Sequence, residues 1–378
     1  MIKIGITGQS GFVGTHLFNT LGLLPDKFVR VDFEDSFFQD ENSLNEFVAK
    51  CDVIVHLAAM NRHNDPQVLY HTNLQLVKQL IEACEASHVK PHILFSSSTQ
   101  EERDNLYGKS KKEGRQLLEE WAHKNNANFT GFIIPNVFGP FGNPYYNSVV
   151  ATFCHQLTHE ETPVIEIDGE IRLIYVGELV AEIISHIETV NAHQQGGFIN
   201  SKAIEHTATI KVSDLLQKLS NFKENYFYKG IVPNLADTFE RNLFNTFLCY
   251  IDHASFFPFQ LTLNTDNRGS FVETIKLSSG GQVSFSTTVP GITRGNHFHT
   301  RKTERFAVIK GKARIELRRI GTNKILSFDL DGQHPAFVDM PVWFTHNITN
   351  TGDEDLYTIF WINEFYDPAD PDTYFEKV

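Results

Sequence analysis

Residues Gly291–Gly311, GITRGNHFHTRKTERFAVIKG, place His297 and His299 one residue apart and Glu304 five residues further on. In a β-strand, side chains at i and i+2 share a face, so both imidazoles can enter one cavity. A carboxylate opening the next strand, past a short turn, can close on the same point. A fourth donor, His346, follows in the run PVWFTHNITN. Three imidazoles and one carboxylate suit zinc or another divalent first-row metal, with a position left open for chemistry. A lone His-x-His in a chain with 17 histidines is as readily a chance pair or a satisfied buried group. The spaced glutamate and the later histidine favour a metal-binding or polar pocket inside a β-barrel.

Outward from this stretch, the pattern from about Phe256 is one of short strands and turns. Turn signals stand at Asp266–Gly269, Ser279–Gly281 and Gly321–Asn323. Strands are predicted at Phe271–Lys276, Val283–Thr287, Glu304–Lys310, Ala313–Arg319, Phe337–Met340 and Tyr357–Asn363, as in an all-β sandwich or barrel.

The N-terminal half reads differently. The strand Ile2–Thr7 runs into GQSGFVG (Gly8–Gly14), a helix over Val13 to about Leu21, and a second strand Phe28–Val31. Glycines there allow a tight turn and close approach to a pyrophosphate, and the helix N-terminus points its N–H groups at that anion. Asp32 ends the second strand, where a carboxylate binds ribose hydroxyls and repels a 2′-phosphate, so the residues lean toward NADH. Val53–Leu57 is a further buried strand, followed by Ala58 and Ala59, small enough for a cofactor to lie across the strand end. Asn73–Ala83 has helical periodicity, and the strand His92–Ser98 ends in three serines at the sheet edge that binds ligands in open α/β folds. Tyr107 and Lys111 stand at i and i+4 on one helix face. A lysine ammonium there favours phenolate and lowers the tyrosine pKa, and a strand-end serine can position a carbonyl beside the phenol. Helices are predicted over Tyr146–His159, Leu179–Thr189 and Val212–Phe222, and a loop over Asn191–Gly197. The whole is an α/β doubly wound parallel sheet followed by an all-β barrel, with domains over 1–250 and 251–378.

Composition narrows the function classes. The 378 residues carry 46 acidic against 33 basic side chains, a net charge of −13, which disfavours nucleic acid and anionic membrane surfaces as partners. Cys51, Cys84, Cys154 and Cys249 are scattered, as buried thiols of a reducing compartment are. No leader pattern and no apolar run of membrane-spanning length is present, so a cytoplasmic protein is expected.

Residues 1 to about 245 resemble extended short-chain dehydrogenases/reductases acting on nucleotide sugars. The resemblance is carried by TGQSGFVG, HLAA (His56–Ala59), SSS, YGKSK, PNVFGP (Pro135–Pro140) and RLIYVGE (Arg172–Glu178). It implies Ser98, Tyr107 and Lys111 as the catalytic set. It puts Gly8, Gly11, Phe12, Val13 and Gly14 at the dinucleotide, with Asp32, Leu57, Ala58, Ala59 and Asn73 around it. Pro135, Asn136 and Val137 would meet the nicotinamide together with Tyr107 and Lys111. Ser98, Asn136, Asn147 and Arg172 would contact substrate.

The C-terminal part resembles the cupins. Gly291-x5-His297-x-His299-x4-Glu304-x6-Gly311 follows their first motif, and Pro341-x4-His346-x3-Asn350 most of their second. Trp343 stands where that motif has glycine, and is expected to change the turn or partly fill the pocket mouth. The fused order, with DNRGSF, GQVS and a terminal FYDPADPDTYF, resembles bifunctional enzymes of capsular polysaccharide synthesis. This implies a UDP-linked 2-acetamido-2,6-dideoxy-4-ketohexose substrate, epimerised at carbon 3 by a zinc-binding cupin whose ligands are His297, His299, Glu304 and His346. The reductase would then reduce the carbon-4 ketone with NADPH, against the NADH reading of Asp32. The product would be a UDP-N-acetyl-6-deoxytalose precursor of N-acetylfucosamine, made by a homodimer. The alternative is a monofunctional nucleotide-sugar reductase whose cupin is structural or oligomerising.

Overall fold

The computed structural model describes residues 1–193, 196–267 and 269–378. Part of the loop expected over 191–197, at 194–195, and the turn residue at 268 lie outside them. Of the rest, 191–193 are helical, the helix continuing to His193, whereas Gly196 and Gly197 form a turn as expected.

In the first half the chain runs β1 (Ile2–Thr7), α1 (Phe12–Gly22), β2 (Phe28–Val31), α2 (Glu41–Lys50), β3 (Val53–His56), α3 (Pro66–Ala86), β4 (His92–Ser98), α4 (Leu106–Asn125), β5 (Phe129–Ile134) and β6 (Asn136–Phe138). It continues through α5 (Val149–Thr158), β7 (Glu170–Tyr175), α6 (Val176–His193), β8 (Ile199–Ala203) and β9 (Ala208–Lys211). Six strands form one sheet in the order β2-β1-β3-β4-β5-β8, every pairing parallel. Alternation along each strand sends neighbouring residues to opposite faces. Ile4, Ile6, Val53, Val55 and Leu94 pack with Leu17 of α1 and Ile183 of α6. Ile54, Ile93 and Phe95 pack on the other face with Phe47, Leu80 and Leu118 of α2, α3 and α4. Apolar residues on both faces are what a parallel sheet covered twice by helices requires. Helix α3 starts seven residues before the predicted Asn73, because Asp65 accepts the Gln67 N–H at 2.8 Å and Pro66 suits the first helical turn.

The second half continues with α7 (Val212–Phe222), β10 (Ile231–Val232), α8 (Thr238–Leu248) and α9 (His253–Phe256). Thirteen further strands follow: β11 (Phe259–Gln260), β12 (Leu263–Asp266), β13 (Gly269–Val272), β14 (Lys276–Leu277), β15 (Gln282–Thr288), β16 (Thr293–Phe298), β17 (Glu304–Lys310), β18 (Lys312–Arg319), β19 (Ile325–Asp331), β20 (Ala336–Met340), β21 (Phe344–Asn350), β22 (Leu356–Ile362) and β23 (Tyr374–Phe375). Two five-stranded antiparallel sheets, β11-β20-β17-β22-β15 and β19-β18-β21-β16-β23, supply one core that includes Val308, Val338, Ile315 and Ile348. The compact units are not consecutive in the chain: 211–250 groups with this second half, as do 139–141 and 150–168. The single strand predicted over Phe271–Lys276 is two short ones. The strand expected around His297 is β16, which ends at Phe298, so that His299 lies just past it. Strand β21 is not among those predicted, since FTHNITN lacks an apolar alternation. In β21 six of seven residues are buried, polar ones included, so the pattern is masked.

Candidate active site and metal centre

In the first unit a cleft of about 810 Å³ opens at the carboxyl ends of β1, β3 and β4. The glycine-rich turn forms one wall. Gly14 is required there, because a Cβ would stand 2.2 Å from the Gly8 carbonyl oxygen and push α1 off the turn. Gly8, Gly11, Phe12, Val13, Leu57, Ala58 and Ala59 all line the cleft, as do Ser98, Tyr107, Lys111, Pro135, Asn136, Val137 and Asn147.

A second obligatory glycine follows Tyr107. A Cβ on Gly108 would sit 1.9 Å from the Gln100 carbonyl oxygen, so only glycine lets α4 begin against the turn that follows β4. Asn105 caps that helix, accepting the Gly108 N–H at 2.7 Å. Ser98 Oγ accepts the Gln100 N–H at 3.2 Å, and buried Ser97 instead donates to Glu101. Lys111 is buried and donates to the Ser96 carbonyl oxygen at 2.9 Å. Its Nζ stands 5.9 Å from the centre of the Tyr107 ring. Burial pushes the Lys111 ammonium down to about 8 and the Tyr107 phenol up to about 12. The expected lowering of the tyrosine pKa is therefore overturned: desolvation of the phenolate outweighs an ammonium at that distance. The protonated phenol is the stable form, which suits a proton donor.

Three expected contacts fall elsewhere. Asp32 is exposed and outside the cleft lining. The carboxylate in the lining is Asp35, tied to the glycine-rich turn by Ser10 Oγ at 3.1 Å. Sequence spacing pointed to the strand end, whereas the chain carries three more residues before turning in. Asn73 is buried behind the cleft, accepting the Met60 N–H at 2.7 Å and donating to Ser110 Oγ at 3.1 Å. It shapes the wall without lining it. Arg172 is exposed on β7 and also outside the lining; its carbonyl oxygen accepts from Asn136 Nδ2 at 3.3 Å. Sequence reasoning missed Tyr146, which lines the cleft and whose hydroxyl accepts the Asn61 N–H at 3.1 Å.

In the second unit the four candidate metal ligands meet. His297 and His346 are paired across β16 and β21, and a bulge between Gly295 and His297 re-aims the first of them. His299 follows the end of β16, and Glu304 opens β17 in the facing sheet. Glu304 Oε2 lies 3.0 Å from His346 Nε2, 3.4 Å from His299 Nε2 and 3.8 Å from His297 Nε2. The four donor atoms are all within 4.8 Å of one another. Despite these short separations, His299 Nε2, His346 Nε2 and Glu304 Oε2 are buried without a hydrogen-bond partner. Their lone pairs face a shared centre, which is the arrangement a cation satisfies. Carbonyl oxygens fix the tautomers: Asp372 O lies 2.5 Å from His299 Nδ1 and Phe344 O 3.3 Å from His346 Nδ1. A carbonyl only accepts, so the hydrogen sits on Nδ1 and leaves Nε2 free to ligate. Burial pushes the Glu304 carboxyl up, but the three imidazoles outweigh it and hold it well below its ordinary value.

Trp343 takes a φ of +64°, a left-handed conformation that glycine adopts without steric cost. Its N–H donates to the His299 carbonyl oxygen at 2.8 Å, and its ring packs 5.6 Å from Phe298. Phe298 alternates with the two histidines, so the indole lies on the face away from the cluster.

Residues 4–200 match the model of the NAD dependent epimerase/dehydratase family, and residues 264–374 that of the polysaccharide biosynthesis C-terminal domain. The chain belongs to the NAD dependent epimerase/dehydratase family. Along 99% of its length it is 33% identical to a UDP-2-acetamido-2,6-beta-L-arabino-hexul-4-ose reductase of Pseudomonas aeruginosa, covering 98% of that protein. It also resembles the capsular polysaccharide assembling protein CapF of Staphylococcus aureus, 35% identical with a TM-score of 0.61 over 100% of both chains. A CapF structure with the inhibitor 3-isopropenyl-tropolone aligns over 100% of both chains at 33% identity and a TM-score of 0.58. Among the described residues, no helix is long and apolar enough to cross a membrane.

Proposed function

We propose that this chain is a bifunctional UDP-sugar enzyme, with a reductase over 1–250 and a metal-binding cupin over 251–378. The observation that carries it is one chain holding both Tyr107 and Lys111 in a cleft walled by a glycine-rich turn and a four-donor cluster with orphaned lone pairs. Full-length similarity to a UDP-hexulose reductase supports a UDP-2-acetamido-2,6-dideoxy-4-ketohexose as substrate.

In the reductase, hydride passes from the reduced nicotinamide to the carbon-4 carbonyl carbon, and Tyr107 donates its phenolic proton to the carbonyl oxygen. Ser98 holds that oxygen beside the phenol, and Lys111 stabilises the phenolate that remains until solvent reprotonates it. NADH is the favoured reductant. Asp35 is the acidic group beside the glycine-rich turn, and among the described residues Lys111 is the one lysine or arginine in the lining, which gives a 2′-phosphate no cationic partner beside that turn. Arg30 is engaged elsewhere, stacked 4.2 Å over Phe18.

In the cupin, epimerisation removes the proton from carbon 3 beside the ketone and returns one to the opposite face. His297, His299, Glu304 and His346 would hold a divalent cation, zinc being the best match to three imidazoles and a carboxylate. Bound there, it would supply Lewis-acid stabilisation of negative charge on the substrate oxygen. His334 and Tyr366 are exposed, and Lys302 is buried with its Nζ on the Pro371 carbonyl oxygen at 3.0 Å. The reduced product is of the UDP-N-acetyl-6-deoxytalose type, for N-acetylfucosamine in surface polysaccharide, and the enzyme acts as a cytoplasmic homodimer.

The test is proton exchange at carbon 3 of the ketosugar in heavy water, without nicotinamide. Exchange should persist in Tyr107→Phe and vanish in His297→Ala and His299→Ala. A wild type that shows no exchange, yet reduces an already epimerised ketone, would establish a monofunctional reductase with a structural cupin.

A further inference from the structure

The loop that separates His299 from Glu304 is folded around a single carboxylate from the far end of the chain. Asp372 Oδ1 accepts from Thr300 Oγ1 at 2.6 Å and from the Thr300 N–H at 3.1 Å. Asp372 Oδ2 accepts the Arg301 N–H at 3.0 Å and the Lys302 N–H at 3.1 Å. Three consecutive backbone N–H groups converging on one anion form a concave nest, and they fix the φ and ψ angles of the residues that carry them. The same residue presents its carbonyl oxygen to His299 Nδ1. Asp372 is 2% exposed and has a φ of +41°, a conformation that aspartate and asparagine tolerate better than most residues.

The residues after it reach the other histidine. Phe375 pairs with His297 and Tyr374 with Phe298, the two rings 5.4 Å apart. The Glu376 N–H donates to the Asn296 carbonyl oxygen at 3.0 Å. One short segment thus braces both members of the His-x-His pair, His299 through its ring and His297 through its backbone.

We infer that Asp372 is a positioning residue of the metal centre: its carboxylate sets the loop 300–302, and through its carbonyl oxygen the orientation of His299. This rests on the metal reading of the four-donor cluster. Groups that hold a ligating imidazole from behind typically change metal affinity by roughly 10–100-fold when lost. Asp372→Asn keeps the backbone carbonyl and the tolerance of positive φ. It removes the negative charge and turns an NH2 group toward the N–H donors.

The experiment measures Zn2+ affinity of the full chain by chelator competition, and records the visible spectrum of the Co2+-substituted protein. Asp370→Ala is the control, since exposed Asp370 pairs with Arg301 at 2.7 Å without entering the nest. Asp372→Asn is expected to lose roughly 10-fold or more in affinity and to shift the Co2+ bands, with Asp370→Ala staying within about two-fold of wild type. Near-wild-type affinity and spectrum in Asp372→Asn would overturn the role of Asp372 while leaving the metal centre standing. Equal losses in both variants would overturn it too, because the tail would then act through general stability. A wild type that binds no Zn2+ would remove the metal reading itself, and the inference with it. Asp372→Ala, followed by circular dichroism, separates loss of the centre from loss of the fold.

Discussion

Lys111 Nζ donates to the Ser96 carbonyl oxygen at 2.9 Å, which ties helix α4 to the end of β4 at the dinucleotide cleft. The ammonium is thus held by the sheet and stands off the Tyr107 ring, and this arrangement governs the pH behaviour of the reductase.

Burial lowers the folded-state pKa of Lys111 to about 8 and raises that of Tyr107 to about 12. Proton delivery needs the phenol protonated, which holds throughout the range below about 12. The lysine is charged only below about 8, so ketone reduction should fall as pH rises through that value. A kcat–pH profile of wild type against Lys111→Met checks it: the variant should be slow and lack the alkaline limb.

Tyr107→Phe removes the donor and leaves the cleft walls in place. Reduction should drop by roughly 10²–10⁴-fold, the usual span for a positioned general acid. Binding of reduced dinucleotide, followed by fluorescence, should change little. An equal loss of both would mean that Tyr107 shapes the cleft and does not deliver the proton.

Asp35 bears on the choice of reductant. With its carboxylate in the lining and Asp32 outside it, Asp35→Asn should raise kcat/KM for NADPH relative to NADH, while Asp32→Asn should not. Steady-state assays with both dinucleotides decide which carboxylate matters.

On the proposed metal reading, removing the bound cation should destabilise the second half of the chain. A ligand bound to the folded state alone at a thousand times its Kd contributes about 4 kcal/mol. Zinc should therefore raise the unfolding temperature measured by calorimetry, and a chelator should lower it. His346→Ala should abolish the difference, since its Nε2 stands 3.0 Å from Glu304 Oε2 at the centre of the cluster.

Much of this architecture follows from local chemistry alone. The parallel sheet was legible because strands buried on both faces read as apolar runs, as in Val53–Val55, and because the glycine-rich turn Gly8–Gly14 stands between a strand and a helix, where glycine permits the tight turn. The four donors of the second half were legible because His297 and His299 stand two positions apart and because Glu304 and His346 fall where the cupin motifs that this stretch resembles have ligands. Strand β21 was not, since its buried threonine, histidine and asparagine carry no apolar alternation. What only the tertiary structure decided are the contacts made by residues distant in the chain. Asp35 in place of Asp32 at the cleft, the Tyr107 phenol held protonated, and Asp372 beneath His299 each depend on burial and on neighbours up to 73 residues away. Spacing along a chain specifies which groups share a face. Desolvation, and the placement of a distant carbonyl or carboxylate, arise only when the faces close on one another.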